Sequence, residues 1–178
     1  MHVVSTMGSG ELGREIELSE VIDALASEFE IEATIHSDSM ATIRLKKEGP
    51  ALTLYRTGTF QIRGTESREA LFEAKGDLLD ALRKIGVEFD EVSFRQNNAV
   101  YLADFETDIQ LEALAIHLGL ENVEYEPEQF PGVIYRPPEL ETVLLVFSSG
   151  KSIISGTIRE REAKKAASYL REQLQQLS

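Results

Sequence analysis

The sequence predicts an α+β fold: two tandem, pseudo-symmetric copies of one unit form a single curved antiparallel sheet with helices on its convex side. The copies are visible because Leu54–Thr65 aligns without gaps on Val146–Thr157, and each run ends in Gly-Thr. Each run is followed by a long stretch in which apolar residues recur at helical spacing. The links between the strands are of hairpin length, which favours antiparallel pairing. A chain of 178 residues is long enough for two small halves.

Each copy is predicted to contain a strand, a short helix, four strands and a long helix, in that order. Upstream of the aligned runs, Arg14–Leu18 corresponds to Thr107–Leu111 and leads into a short helix in each copy. Thr157 and Glu160 have the spacing of a capping box at the start of the last helix, and Thr65 can cap its counterpart. The copies join near Gly86–Asp90, which gives repeats 1–88 and 89–178. The predicted helices are about Ser19–Ser27, Glu66–Ile85, Leu111–Leu118 and Ile158–Leu177.

Composition limits the function. The formal charge is -13 and the pI about 4.7, which opposes binding to phosphates at low salt. The same acidity fits a protein that works in concentrated salt, where the screening length shrinks to about 3 Å. There is no cysteine, which excludes disulfides and thiolate metal sites. No apolar run reaches the roughly 18 residues of a membrane span, and no secretion signal is evident, so an intracellular location is expected.

One motif suggests an enzyme. Gly8, Gly10 and Gly13 form a literal GxGxxG after a strand-like segment, which is the dinucleotide-binding fingerprint. The next helix begins near Ser19 rather than at Gly13, so no helix N-terminus would face a pyrophosphate. A glycine-rich turn is therefore the preferred interpretation, and no catalytic constellation, cofactor or metal site is predicted. The three histidines have no ligand spacing.

The stretch Tyr125–Lys151 indicates binding. Val143–Phe147 is apolar at every position, whereas a strand with one wet face should alternate. Both faces of this strand are therefore expected to avoid water, one beneath helices and one against a partner. Phe130 and Phe147 lie beside turns, and an apolar sheet face tipped with phenylalanines suits a DNA minor groove.

The runs Glu121–Arg136 and Val146–Lys151 resemble the second repeat of archaeal TATA-box-binding proteins. The resemblance is strong from Asn98 onward and weak before Val87. It implies a saddle-shaped fold, a non-enzymatic role in transcription initiation, and a concave face that binds AT-rich double-stranded DNA in the minor groove. It also implies recruitment of transcription factor B by the acidic stirrup loop. The implied partner-binding residues are Glu124, Glu126, Glu128 and Gln129.

For the second copy, the resemblance implies an asparagine that reads base edges, two phenylalanines that kink DNA, two phosphate-binding cations and further contacts on the concave strands. These residues are Asn98, Val100, Phe130, Arg136, Phe147, Lys151, Ile153 and Ser155. Strand alternation adds Ile134 and Leu145 to the same face.

The first copy departs from the family pattern. Met40 and Tyr55 stand where the second copy has Phe130 and Phe147, and the asparagine falls on or near His2. Strand alternation gives this half a polar, basic concave face. The residues expected on that face are Thr42, Arg44, Lys46, Thr53, Tyr55, Gln61 and Arg63, and the DNA contacts predicted in this half are Val4, Met40, Arg44, Lys46, Tyr55 and Arg63.

Two functional hypotheses follow. In the first, the protein is an initiation factor that binds AT-rich promoters and recruits transcription factor B. In the alternative, it is a paralogue with weakened DNA bending that acts mainly through protein partners, as an alternative or competing factor. We also expect a homodimer through the concave face in the absence of DNA, no membrane partner, and a cytoplasmic, nucleoid-associated location.

Overall fold

The computed structural model describes residues 1–177, and both copies contain the predicted order of strands and helices. The first copy contains β1 (His2–Glu11), α1 (Leu18–Glu28), β2 (Glu32–Ser37), β3 (Met40–Arg44), β4 (Ala51–Tyr55), β5 (Thr59–Thr65) and α2 (Arg68–Lys84). The second contains β6 (Ser93–Asp104), α3 (Leu111–Leu118), β7 (Val123–Glu124), β8 (Gly132–Tyr135), β9 (Val143–Phe147), β10 (Lys151–Ser155) and α4 (Glu160–Leu177).

The long helices begin later than predicted, and their first turns are capped differently. The Ser67 hydroxyl accepts a hydrogen bond from the Ala70 amide at 3.0 Å, so Ser67 caps α2 and Thr65 does not. The Thr157 hydroxyl accepts from the Arg159 amide at 3.0 Å. Since α4 begins at Glu160, Thr157 closes a local turn ahead of the helix and the predicted capping box is wrong.

The chain forms two compact units. The N-terminal unit comprises Ser5–Asn97, and the C-terminal unit comprises Met1–Val4 with the chain from Asn98 onward. In the N-terminal unit the strands follow the order β2-β3-β4-β5-β1, and in the C-terminal unit the order is β6-β10-β9-β8-β7. Neighbouring strands within each unit pair antiparallel, as the hairpin-length links predicted.

Each unit has its own hydrophobic core between its sheet and its helices. In most of the strands alternate residues are buried, although β2 is exposed throughout. One face of each sheet thus joins the apolar side of the helices. In the N-terminal unit α2 packs on β5, and in the C-terminal unit α4 packs on β10. The sheet residues that contribute to these cores include Ala41, Ile43, Leu52, Leu54, Phe60, Ile62, Tyr101, Val133, Tyr135, Leu144, Val146 and Ile154.

Gly8 and Gly10 of the glycine motif lie inside β1 and serve packing, whereas Gly13 follows the strand in a left-handed conformation with φ of 74°. A Cβ atom at Gly8 would stand 2.6 Å from Phe94 Cζ, and one at Gly10 would stand 2.6 Å from Phe60 Cζ. The Phe60 and Phe94 rings stack with their centroids 5.8 Å apart and fill the space that side chains at these glycines would take. The dinucleotide interpretation therefore fails, because these glycines face aromatic rings in mid-strand and open no helix.

Neither a membrane span nor a metal site is found within residues 1–177. No helix there combines the length and the apolar character needed to cross a bilayer. Nor do those residues contain a group of three His, Asp or Glu side chains placed to hold a metal ion.

Candidate nucleic-acid interface

Each unit has a sheet face turned away from its helices, called here its open face. On the C-terminal open face most side chains are half-buried and apolar. Its residues are Asn98, Val100, Leu102, Gly132, Ile134, Val143, Leu145, Phe147, Lys151, Ile153 and Ser155. The N-terminal open face is more polar. Its residues are Met7, Ser9, Met40, Thr42, Arg44, Ala51, Thr53, Tyr55, Thr59, Gln61 and Arg63.

Equivalent backbone hydrogen bonds fix the correspondence between the copies. The Leu12 amide donates to the Gly58 carbonyl at 3.0 Å, and the Phe105 amide donates to the Gly150 carbonyl at 2.9 Å. Gly58 and Gly150 both adopt left-handed conformations, with φ of 88° and 82°. Leu12 corresponds to Phe105, and each directly follows an unbroken strand, so the counterpart of Asn98 is Ser5. The predicted placement at or near His2 is wrong, because Gly8 and Gly10 belong to the strand and add no loop.

A central row of side chains differs completely between the two open faces. In the C-terminal unit the cross-strand pairs Ile134↔Leu145, Leu145↔Ile153 and Ile153↔Leu102 make an aliphatic row. In the N-terminal unit the corresponding pairs Thr42↔Thr53, Thr53↔Gln61 and Gln61↔Ser9 make a polar row. Every position changes from aliphatic to hydrogen-bonding, so the two faces present opposite chemistry to whatever binds them.

Phe130 and Phe147 form an aromatic pair at one end of the C-terminal open face. Their ring centroids are 5.8 Å apart and the rings are tilted by 59°. Both side chains are half-buried, and neither belongs to the buried core of the unit. The expected wedge geometry is therefore available, since the rings lie together on the helix-free side of the sheet.

The first copy has Met40 and Tyr55 at this end of its open face, but Met40 corresponds to a different residue from the one predicted. Met40 pairs with Tyr55, and Gly132 pairs with Phe147, so Met40 corresponds to Gly132 rather than to Phe130. A Cβ atom at Gly132 would stand 3.0 Å from Phe130 Cε1 and 3.2 Å from Phe147 Cδ1. Met40 therefore points into the space that corresponds to the aromatic pair. It pairs with Tyr55, but its predicted alignment with Phe130 is wrong.

Of the predicted cations in the first copy, Lys46 is misplaced. It follows β3, which ends at Arg44, and its Nζ lies 3.3 Å from Asp77 Oδ2 on helix α2. Lys46 therefore belongs to the helix side, because strand alternation cannot be extended beyond the last paired residue. The Arg44 guanidinium donates to the Gly49 carbonyl, whereas Arg63 is exposed on the open face.

In the second copy one predicted DNA contact is bound to one predicted partner contact. The Arg136 guanidinium donates to the Glu124 carboxylate, and their side chains are 54% and 62% exposed. Exposed ion pairs contribute about 1 kcal/mol or less, so a competing phosphate can displace the carboxylate. Lys151 is exposed at the start of β10, and Val4 is exposed beside Val3, which packs against the C-terminal core.

The acidic loop after β7 is ordered by backbone and tyrosine contacts. The Glu126 carbonyl accepts hydrogen bonds from the Gln129 and Phe130 amides, both at 2.9 Å. The Tyr125 hydroxyl donates to Glu112 Oε1 on α3 at 2.9 Å. A backbone hydrogen bond at the start of α3, reinforced by Tyr125, lowers the pKa of the Glu112 carboxyl. Glu126, Glu128 and Gln129 are exposed.

The sequence prediction missed several open-face residues, which are Met7, Ser9, Ala51, Thr59, Leu102, Gly132 and Val143. Met7 and Ser9 lie opposite Arg63 and Gln61, and Leu102 lies opposite Ile153. Met7 and Ser9 were missed because the glycines around them were interpreted as a turn. The signal that could have found them is the alternation of glycines with larger residues, which is also a strand pattern.

Comparison with known proteins gives a consistent family assignment. The family model described as "Transcription factor TFIID (or TATA-binding protein, TBP)" matches residues 93–177, which is the copy in which the predicted resemblance is strong. The chain is similar to TATA-box-binding protein C of Halobacterium salinarum, with 37% identity covering 99% of this chain and 98% of that protein. It is also similar to the TATA-box-binding protein of Archaeoglobus fulgidus, with 38% identity covering 76% of this chain and 74% of that protein.

Among solved structures, the chain resembles Methanococcus jannaschii TBP. The TM-score is 0.82 at 30% sequence identity, and the match covers 98% of each chain. This similarity confirms the predicted fold class.

Proposed function

Because the chain belongs to the TATA-box-binding-protein family of transcription factors, we propose that it binds AT-rich double-stranded DNA in the minor groove through its open faces. Membership of this family also means that the protein is a transcription factor and not an enzyme. Binding of this kind would place the protein on the nucleoid, in the cytoplasm.

The observation that supports the proposal is the Phe130–Phe147 pair on the helix-free side of the C-terminal sheet, with centroids 5.8 Å apart. Proteins that bind the minor groove insert apolar wedges between base steps, at an unstacking cost of a few kcal/mol per step. The aliphatic row beside the pair supplies the apolar surface that offsets this cost. It presses against a groove floor that in A·T pairs carries only acceptors.

A mobility-shift assay with AT-rich duplexes at molar salt tests the proposal. Molar salt is required because a chain of formal charge -13 is repelled by phosphates when screening is weak. The variants Phe130→Ala and Phe147→Ala should each lose about tenfold or more in affinity, which corresponds to roughly 1.4 kcal/mol of lost wedge energy. They should also reduce the bend measured by fluorescence energy transfer between the duplex ends.

A control variant is available on the helix side. Ile116 is 72% exposed on α3, and Ile116→Ala removes an exposed apolar side chain without touching the open face. Its affinity and bend should equal those of the wild type. Failure of the wild-type protein to shift any AT-rich duplex would contradict the proposal.

We propose further that the exposed acidic loop recruits transcription factor B. Glu126 and Glu128 project from a segment fixed at both ends by hydrogen bonds, so the loop offers a preformed anionic surface. Glu126→Lys with Glu128→Lys should abolish pull-down of transcription factor B. The matched control is Glu20→Lys with Asp23→Lys on α1, which makes the same change of charge elsewhere and should leave capture intact. Equal capture by both double variants would refute this role.

A second candidate function is favoured by the first copy. Its open face has Met40 and Tyr55 in place of the aromatic pair, so this end has no phenylalanine wedge. In this alternative the protein is a paralogue that bends DNA weakly and acts mainly through protein partners. Capture of transcription factor B together with an unbent AT-rich duplex would favour the alternative over the leading proposal.

In the absence of DNA, the apolar C-terminal open face is also proposed to pair with that of a second copy. Light scattering across a concentration series measures the dimer. Phe147→Glu should keep the protein monomeric, because it places a charge on the apolar face. A dimer of unchanged stability in Phe147→Glu would rule out that face.

A further inference from the structure

The polar row of the N-terminal open face contains one long side chain with full hydrogen-bonding capacity. Gln61 lies at the row's centre, between Thr53 and Ser9, and is half-buried. Its side chain makes no hydrogen bond to other residues in the described range 1–177. By contrast, Thr42 Oγ1 lies 3.0 Å from His36 Nε2, and Ser9 Oγ accepts a hydrogen bond from Asn97 Nδ2 at 2.9 Å.

The corresponding residue in the C-terminal unit is Ile153, which occupies the same place in its aliphatic row. A glutamine amide offers an acceptor and two donor hydrogens, whereas an isoleucine side chain offers neither. Within the central row, the two open faces therefore differ in hydrogen-bonding capacity at the position of Gln61 and Ile153.

The minor groove distinguishes base pairs by one group. A·T and T·A pairs present only the acceptors adenine N3 and thymine O2, and a G·C pair adds the guanine N2 amino donor. Pressed against aliphatic side chains, that amino group would be buried without a partner, which is unfavourable. Pressed against Gln61, it can donate to the amide oxygen, while the amide nitrogen can donate to acceptors found in all base pairs.

We infer that the N-terminal open face accepts G·C base pairs that the C-terminal open face excludes, and that Gln61 determines this difference. The inference rests on the proposed minor-groove binding. The preferred site is then asymmetric. One half must be A·T, and the other half tolerates guanine because its amino group is hydrogen-bonded.

The test measures affinity on AT-rich duplexes in which a single G·C pair is moved one position at a time. For the wild type, the G·C pair should weaken binding by less than about 3-fold in one half. In the other half the loss should be on the order of 10-fold or more, within the usual range for an unfavourable base pair. Since the chain has no cysteine, an Asp38→Cys variant carrying a DNA-cleaving chelate identifies the tolerant half as the one facing the N-terminal unit.

Inosine provides the chemical control. An I·C pair lacks the 2-amino group and presents an A·T-like minor groove, so inosine should restore affinity in the intolerant half. If inosine remains as unfavourable as guanine there, the discrimination comes from duplex deformability rather than from the amino group, and the inference is overturned.

Reciprocal substitutions test the assignment to Gln61. Gln61→Val should raise the guanine penalty in the tolerant half to about 10-fold or more, and Ile153→Gln should lower it in the intolerant half to less than about 3-fold. Both positions lie on the open face, outside the buried cores. If Gln61→Val does not fold, Ile153→Gln and the inosine series on the wild type still decide the outcome.

The possible results separate this inference from the function on which it rests. Equal guanine penalties in both halves of a bound duplex would overturn the inference and leave minor-groove binding standing. Failure of the wild type to bind any AT-rich duplex would overturn both.

Discussion

Substitution of Gly10 by alanine tests whether the glycine motif serves packing. The new Cβ atom would lie 2.3 Å from the Ser93 carbonyl oxygen and 2.6 Å from Phe60 Cζ, and the carbonyl belongs to strand β6. A ring can turn aside, but a backbone oxygen held in a sheet cannot. Overpacking of this kind costs about 1–3 kcal/mol. We expect the upper end, because the contact with the backbone is the shorter one.

The matched control is Gly76→Ala in α2, where a Cβ atom would meet nothing within 4 Å. Replacing a helix-interior glycine by alanine stabilises by about 0.5–1 kcal/mol. The two variants should therefore shift the midpoint of thermal unfolding in opposite directions. At about 2–4 °C per kcal/mol for a chain of this size, Gly10→Ala should lower it by roughly 6–12 °C.

Thermal unfolding followed by circular dichroism at molar salt measures both shifts. A Gly10→Ala variant as stable as the wild type would refute the packing argument, because such a result requires open space beside the glycine.

Four further substitutions have outcomes that follow from the positions and contacts of individual side chains. Lys46→Ala should leave DNA affinity unchanged, because this lysine faces α2, whereas Arg63→Ala should weaken binding and reduce the slope of log affinity against log salt by about 1. Glu124→Gln should raise DNA affinity a few-fold in a mobility-shift assay, because it releases the guanidinium that Glu124 holds. Tyr125→Phe should raise the pKa of the Glu112 carboxyl toward its ordinary 4.5, as measured by NMR titration.

The direction of the Glu112 pKa shift sets the pH range in which Tyr125→Phe changes the stability of the protein. In the folded protein the pKa of Glu112 is lowered from 4.5, so its contribution to stability is present above 4.5 and is lost as the pH falls through the folded pKa. Removing the Tyr125 hydroxyl should therefore destabilise the protein only at pH values above the folded pKa of Glu112, where the carboxyl is ionised. An unchanged pKa of Glu112 in Tyr125→Phe would contradict this assignment.

The sequence predicted the repeat and the order of elements because both are recorded in local patterns. Glycine turns such as Gly58 and Gly150 mark the same bend in each copy, and helical spacing marks the long helices. The register of the first copy could not be predicted in the same way. Met40 follows a two-residue turn in one copy, and the corresponding Gly132 follows a longer loop in the other, so matching by residue type placed Met40 opposite Phe130.

Side-chain direction was predictable only where strand pairing continues. Alternation placed Thr42 and Arg44 correctly within β3, but it failed for Lys46 because the chain turns toward α2 after the last paired residue. The role of Gly8 and Gly10 was also hidden, because the rings that fill the space beside them come from distant strands. Contacts of this kind depend on tertiary packing that no local motif contains.

The two sides of each sheet have therefore diverged under different constraints. On the helix side every position must fill a closed core. Where one copy has Tyr101 and the other has Gly8, the lost side-chain volume must be replaced, here by the rings of Phe60 and Phe94. On the open side the neighbour is a binding partner, so a whole row can change from aliphatic to polar while the strands still pair in the same register. Divergence confined to the open side changes what the face binds without changing the fold, and for this reason we interpret the polar row as a difference in recognition rather than as loss of the fold's function.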